Sequence, residues 1–474
     1  MSEMGIADRA RRGAVPGAVA GLAGGVVFGG VMAEIGFLPT VAAIVRTDVI
    51  PLAFAVHMLF AAIIGAGFGL LVVHQRARVE ELLFWGLVYG MLWWFLGPLT
   101  LLPILLGRPV AWDLAGGREL LPSLIGHLVY GAVTAAAFAW LRRPAGSRPR
   151  IRPAAPVRGL AAGALTAAVL VFGLGVMTGV PPYRLFVYGV VLGLGYPLLF
   201  GDRPEGTGPA LIRGVAYGFA WWILVALTFP TLLTTGTLDW SLEGVRNAVP
   251  ELPGLVLLGA GTAAGTTWLA AAGQALFEDD IRRLHRVSFG PGRLRAAGYG
   301  LAGGLAGGVV FALVLAPSGL LPTVARLAGG RTALTGLWVH LVIAMAVGVS
   351  YGVFFRNRSF DLASGLGWGV CYGFLWWILG GLTLAPVLLG GAPLWTAAGL
   401  TASFPVLVGH LAYGAVLGAV CGRLEQRVSP WWLTRGQAEQ ERRTALREQT
   451  LGSAPALWTF VLLIALTVPL LIAR

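Results

Sequence analysis

Long apolar runs broken by short polar stretches dominate the chain. A helix needs about 20 apolar residues to cross the hydrocarbon core of a bilayer. Thirteen runs approach or exceed that length, over roughly 14–38, 50–73, 82–106, 120–141, 157–178, 184–201, 210–235, 252–276, 296–322, 335–355, 364–389, 402–423 and 455–473. The pattern predicts an all-α polytopic membrane protein with about 13 transmembrane helices.

Internal repetition organises these runs. Gly-Leu-Ala-Gly-Gly-Val-Val-Phe at 21–28 recurs at 304–311, and Leu-Pro-Thr-Val-Ala at 38–42 recurs at 321–325. Tyr-Gly-Met-Leu-Trp-Trp at 89–94 returns as Tyr-Gly-Phe-Leu-Trp-Trp at 372–377, and Gly-His-Leu-Val-Tyr-Gly at 126–131 returns as Gly-His-Leu-Ala-Tyr-Gly at 409–414. All four share an offset of 283. A weaker copy, Tyr-Gly-Phe-Ala-Trp-Trp at 217–222, lies at an offset of 128. Repetition on this scale marks a fused array. The expected organisation is three four-helix units, 1–145, 146–280 and 281–424, then a polar cytoplasmic segment 425–454 and a C-terminal transmembrane helix 455–474. An even helix count makes the copies parallel. Arginine-rich cytoplasmic linkers are expected near 142–158 and 278–295. A cytoplasmic amphipathic arm is expected near 437–449, and an interfacial aromatic pair at Trp431 and Trp432. The last apolar run is read as an anchor or as a docking helix for a partner in a membrane complex.

Composition agrees with the pattern. Of the 474 residues 57% are hydrophobic and 12% charged, against about a quarter charged in soluble domains. Too few charges exist to build a water-exposed surface, which excludes soluble enzymes, secreted disulfide scaffolds and disordered chains. Cys371 and Cys421 fall inside apolar runs without metal or redox spacing and read as small buried hydrophobes. The first apolar run is too long for a cleavable signal.

The net charge of +13 invites a nucleic-acid reading, but every basic residue is arginine, in short loops between apolar runs. No nucleic-acid partner is expected. If the N-terminus is cytoplasmic, 26 of the 34 arginines fall on the inner side and 8 on the outer, the sense required by the positive-inside rule. The expected placement is the cell inner (plasma) membrane, multi-pass, with the C-terminus outside.

The 70 glycines create small-residue faces such as 65–69 that let helices approach closely; a flat face that admits a cofactor ring or a lipid is the alternative. The Tyr-Gly-x-x-Trp-Trp segments each lead to a Leu-Thr pair and a proline: Leu99, Thr100 and Pro103; Leu227, Thr228 and Pro230; Leu382, Thr383 and Pro386. Proline there removes a helix hydrogen bond and distorts the helix. Since the feature persists in the copy without histidines, it reads as architectural, with a threonine-lined outward opening as the functional alternative.

Ionisable groups inside the membrane are costly and mark functional candidates. Four histidines lie within predicted helices: His57, His127, His340 and His410. His74 and His285 fall at the cytoplasmic edge. His57 and His127 each sit about 7 residues in from the outer end of their helix, about 10 Å deep at 1.5 Å per residue. The 283 offset reproduces the pair as His340 and His410, while the middle unit has Leu185 and about Leu258. Three readings compete. The histidines bridge helices by hydrogen bonds to carbonyls or to Tyr130 and Tyr413. Alternatively, each pair supplies axial ligands to haem b, with Gly126, Gly131, Gly409 and Gly414 leaving room for the porphyrin. The third reading is a cation or proton site using neutral imidazole, as a transition metal would require. Glu34, Asp113 and Glu119 would complete that site in the first unit, where the third has Pro317, Thr396 and Ala402.

No P-loop, Gly-x-Ser-x-Gly or His-Glu-x-x-His motif occurs, so no enzyme class is expected. The combined motifs resemble those of uncharacterised four-helix bacterial integral membrane proteins, here as a triplicated fusion; the resemblance covers units one and three and part of unit two, and implies a fold without an activity. The leading expectation is a transporter- or channel-like protein for a small solute or cation, with Glu34, His57, His127 and Asp113 as its site. The alternatives are a haem- or metal-binding electron-transfer subunit and a structural or assembly subunit.

Overall fold

The computed structural model describes residues 6–73, 79–142, 154–174, 181–201, 206–277, 291–356, 358–359, 361–427, 436, 439–440, 443 and 454–473. His74, His285, Trp431, Trp432 and most of the expected linkers and polar arm lie outside them. Of the structure 87% is helix, with no strand among the described residues.

Among the described residues, thirteen helices are long and apolar enough to cross a membrane. They are α1 Arg11–Glu34, α2 Ile50–Val72, α3 Val79–Leu105, α4 Leu121–Leu141, α5 Ala154–Gly173, α6 Pro182–Phe200, α7 Thr207–Thr235, α8 Leu242–Gly273, α9 Gly292–Leu315, α10 Ala333–Phe354, α11 Leu362–Leu388, α12 Phe404–Arg427 and α13 Pro455–Ile472. The all-α polytopic class is as expected. Large apolar side chains such as Leu59, Ile63, Phe172, Leu233 and Leu313 face outward, which suits a lipid surround and not water.

Some boundaries differ from the apolar runs. The first run stops at Glu34, and Leu38–Ile44 forms a separate short helix. Gly36 adopts φ +70°, a left-handed conformation that ends a helix and favours glycine. Pro39 then occupies the first turn of the next helix, where its missing N–H costs nothing. Gly319 (φ +67°) and Pro322 make the same break after α9. Each Leu-Pro-Thr-Val-Ala motif is therefore a short capping helix at one end of the bundle, packed on the helix that follows it. This upper end carries the α1–α2 and α3–α4 connections.

Lipid supplies no hydrophobic drive for helix association, so close packing of small residues replaces it. In α1 and α2, Gly17 and Gly21 meet Gly65. In α3 and α4, Gly86 meets Gly131; in α7 and α8, Gly214 meets Gly259; in α11 and α12, Gly369 meets Gly414. At each of these positions an added Cβ would overlap the facing backbone. The last three pairs are spaced by 128 and 283 residues.

Helix α13 packs against α3, α7 and α11, the third helix of each successive quartet. Its upper end also meets the short helices Leu114–Glu119, Leu242–Ala248 and Ala397–Ala402. Leu457, Phe460, Val461 and Ala465 are buried along α13. The segment read as an anchor or a docking helix thus packs as a strut within the chain's own bundle. Its C-terminal carbonyls are capped from two quartets: Arg118 Nε donates to Leu471 O (3.0 Å) and Arg246 Nε to Ile472 O (2.9 Å). Positive charge at a helix C-terminus also complements the macrodipole.

The expected proline distortion takes a specific form. Stretches of π-helix occur at Gly97–Leu101, Trp222–Thr228 and Trp377–Leu384, just before Pro103, Pro230 and Pro386. The hydroxyls of Thr100, Thr228 and Thr383 each donate to a carbonyl five residues back, at 2.7 Å in all three cases. Each hydroxyl then accepts from a loop indole: Trp112 at 3.0 Å, Trp240 at 3.0 Å and Trp395 at 2.9 Å. Pro103 cannot donate to Leu99 O, and the loop N–H of Ala111 takes that carbonyl (2.9 Å). Leu394 N does the same for Leu382 O (2.8 Å). The threonines are thus spent on folding the upper loops onto the π-segments and do not line an opening.

Candidate functional site

The first four helices enclose a cavity of about 170 Å³. Phe28 and Met32 of α1, His57 and Ile64 of α2, Gly97 and Leu101 of α3, and Ser123, His127 and Tyr130 of α4 are among its lining residues, roofed by Val41 and Ile44 of the capping helix. The π-segment helps shape it, because a π-bulge displaces backbone from the regular helical track. Helices α2 and α3 touch each other little. The outward-facing Phe60, Leu101 and Leu105 lie around the cavity between them, so the lateral opening faces lipid.

Both histidines of the first quartet are in this cavity wall. His57 is buried and its Nε2 lies 2.9 Å from Gly25 O of α1. His127 Nδ1 lies 2.7 Å from Ser123 O, one turn earlier in α4. A carbonyl only accepts, so each of these ring nitrogens carries the proton. Both imidazoles also pack on the ring of Phe28, with centroid distances of 5.6 and 4.8 Å. Tyr130, expected as a partner for the histidines, instead donates to Ala61 O of α2 (2.7 Å).

The third quartet repeats the arrangement. His340 Nε2 meets Gly308 O (2.9 Å), His410 Nδ1 meets Val406 O (2.8 Å), and Phe311 packs on both rings at 5.1 and 4.6 Å. Tyr413 donates to Ala344 O at 2.7 Å.

The glycines that a porphyrin would need are occupied. An added Cβ on Gly126 would overlap the Phe28 ring, and one on Gly409 the Phe311 ring; Gly131 and Gly414 are closed by the backbones of Gly86 and Gly369. His57 Nε2, which an axial ligand would offer to iron, is turned to the Gly25 carbonyl of α1.

The carboxylates stand apart from the histidines. Glu34 is exposed at the end of α1. Asp113 accepts from Gly116 N (2.7 Å) as the N-cap of a short helix, and Ser241 and Thr396 cap the corresponding helices in the same way. A role that serine and threonine perform equally needs no negative charge. Glu119 is exposed. Among the described residues no three His, Cys, Asp or Glu side chains gather as a metal site would require. Of the four residues expected to form a cation site, the structure brings together His57 and His127 only. Cys371 and Cys421 are buried and unbridged.

In the second quartet, the 128 offset puts Leu185 at the position of His57. The counterpart of His127 is Leu255 and not Leu258: Gly218 closes on Leu255 O as Gly90 closes on His127 O. One turn earlier, Glu251 occupies the place of Ser123. It pairs with Arg184 Nη1 (2.6 Å) and accepts from the Tyr188 hydroxyl (2.8 Å). The sequence reading missed this cluster, although applying the 128 offset to Ser123 leads directly to Glu251.

No protein-family model matches the chain, and no curated protein or solved structure matches it.

Proposed function

We propose that the protein is a transporter-like integral protein of the cell inner membrane, built from three fused four-helix units, and that its first unit binds a small, largely apolar solute. The observation that carries this reading is the cavity against which His57 and His127 both lie. Ligand sites are concave, mostly apolar and furnished with a few polar groups that fix orientation, and this cavity has that composition. A cation would meet imidazole there without a carboxylate, so the geometry favours a neutral solute over the cation expected from Glu34 and Asp113. The lateral opening between α2 and α3 suits entry from the bilayer. Recurrence of the Trp–Thr bonds and glycine contacts at offsets of 128 and 283 supports the triplicated organisation and its kinship to four-helix membrane modules. The arginine distribution supports a cytoplasmic N-terminus and, with it, a cavity in the outer half of the membrane.

The test is binding of fluorobenzene to protein in lipid nanodiscs, followed by ¹⁹F NMR. Gly97 has open space beside it, with His127 Nε2 as the nearest atom at 3.9 Å from an added Cβ. Gly97→Leu should therefore fill the cavity. The expected result is saturable binding to wild type that Gly97→Leu abolishes. Binding that is non-saturable, or unchanged in Gly97→Leu, rejects the site.

A further inference from the structure

We infer that the solute is a membrane-soluble phenol or hydroquinone whose hydroxyl donates to His127 Nε2; this assignment rests on the binding-site reading above. Ser123 O fixes the proton on His127 Nδ1, so in the neutral ring Nε2 holds the lone pair. Among the described residues Nε2 has no hydrogen-bond partner. It faces Gly97, itself part of the cavity wall. His57 gives its proton to Gly25 O, so its remaining nitrogen is also an acceptor. Histidines held this way select a ligand that brings a proton donor. A ketone, ether or ester would leave the His127 lone pair unsatisfied in an apolar site, which is costly.

Size and wall chemistry narrow the class. About 170 Å³ is close to the volume of the apolar cavity, about 150 Å³, known to accept benzene. One six-membered aromatic ring fits. Phe28, Phe37, Phe60 and Trp93 supply aromatic faces and edges, which favour an aromatic ring over a saturated one. The gap between α2 and α3 leaves a path by which an alkyl tail on that ring reaches the lipid.

The experiment compares 4-propylphenol with its methyl ether, 4-propylanisole, by saturation binding to wild-type protein in nanodiscs. The two probes differ in the donor and have similar apolar bulk. The expected result is a preference for the phenol of about fivefold to tenfold, the size of one net hydrogen bond, which disappears in His127→Leu while the ether still binds. Equal affinity for the two probes in wild type overturns the hydroxyl assignment and leaves the cavity reading standing. Absence of saturable binding by either probe fells the cavity reading itself. Zinc ion added alone that binds at His127 and excludes the phenol assigns the lone pair to a metal and also overturns the inference.

Discussion

The ring of Phe28 fills the space that any side chain at position 126 would need. This contact sets the site, since the same ring packs on His57 and His127 and forms part of the cavity wall. Gly126→Ala must therefore displace a buried aromatic ring. Overpacking of this kind costs about 1–3 kcal/mol, and the displaced ring should also enter the cavity. Gly30, with nothing within 4 Å of an added Cβ, is the control. Thermal unfolding in detergent should show a clear loss for Gly126→Ala and little change for Gly30→Ala; equal midpoints would show that Phe28 has room to move.

The Trp–Thr bonds separate chemistry from surroundings. Trp395 is 2% exposed and Trp112 is 69% exposed, yet both donate to equivalent threonines. Removing a partner from a buried donor costs about 1–3 kcal/mol, whereas an exposed donor finds water or headgroups instead. Thr383→Val should thus lower the unfolding midpoint well below that of Thr100→Val. If the two losses are equal, burial is not what makes the bond matter.

Arg118 and Arg246 hold the upper end of α13 from two quartets. Each bond is charge-assisted and only part-buried, so a single alanine substitution should cost about 1 kcal/mol. The double substitution should free that end of α13, readable as new cleavage by carboxypeptidase at the C-terminus. A double variant as resistant as wild type would mean that apolar packing alone retains the helix.

Much of the fold could be read before the structure because membrane helices announce themselves by length and apolarity. What sequence did not give was azimuth. Glu34 and Asp113 fall at the same end of the first quartet as the histidines, but nearness to one end says nothing of depth or of the direction a side chain takes. Asp113 turned out to cap a helix, a local task that Ser241 and Thr396 perform elsewhere in the chain. The roles of Phe28 and Gly97 were hidden for another reason: in an apolar helix a residue lining a cavity has the same composition as one facing lipid. The position of Leu255 required only a strict offset, and loose counting put it one turn away at Leu258. The central place of α13 depends on three surfaces distant in sequence, so no local pattern could announce it.

The state of the His127 ring tests the account most directly. Nitrogen-15 spectra of histidine-labelled protein in nanodiscs, with the signals assigned through His127→Gln, report which ring nitrogen carries the proton. The account predicts a neutral ring protonated at Nδ1, whose bare Nε2 signal shifts when 4-propylphenol is added and does not shift in Gly97→Leu. A proton on Nε2, or an Nε2 signal indifferent to the phenol at saturating concentration, would contradict it.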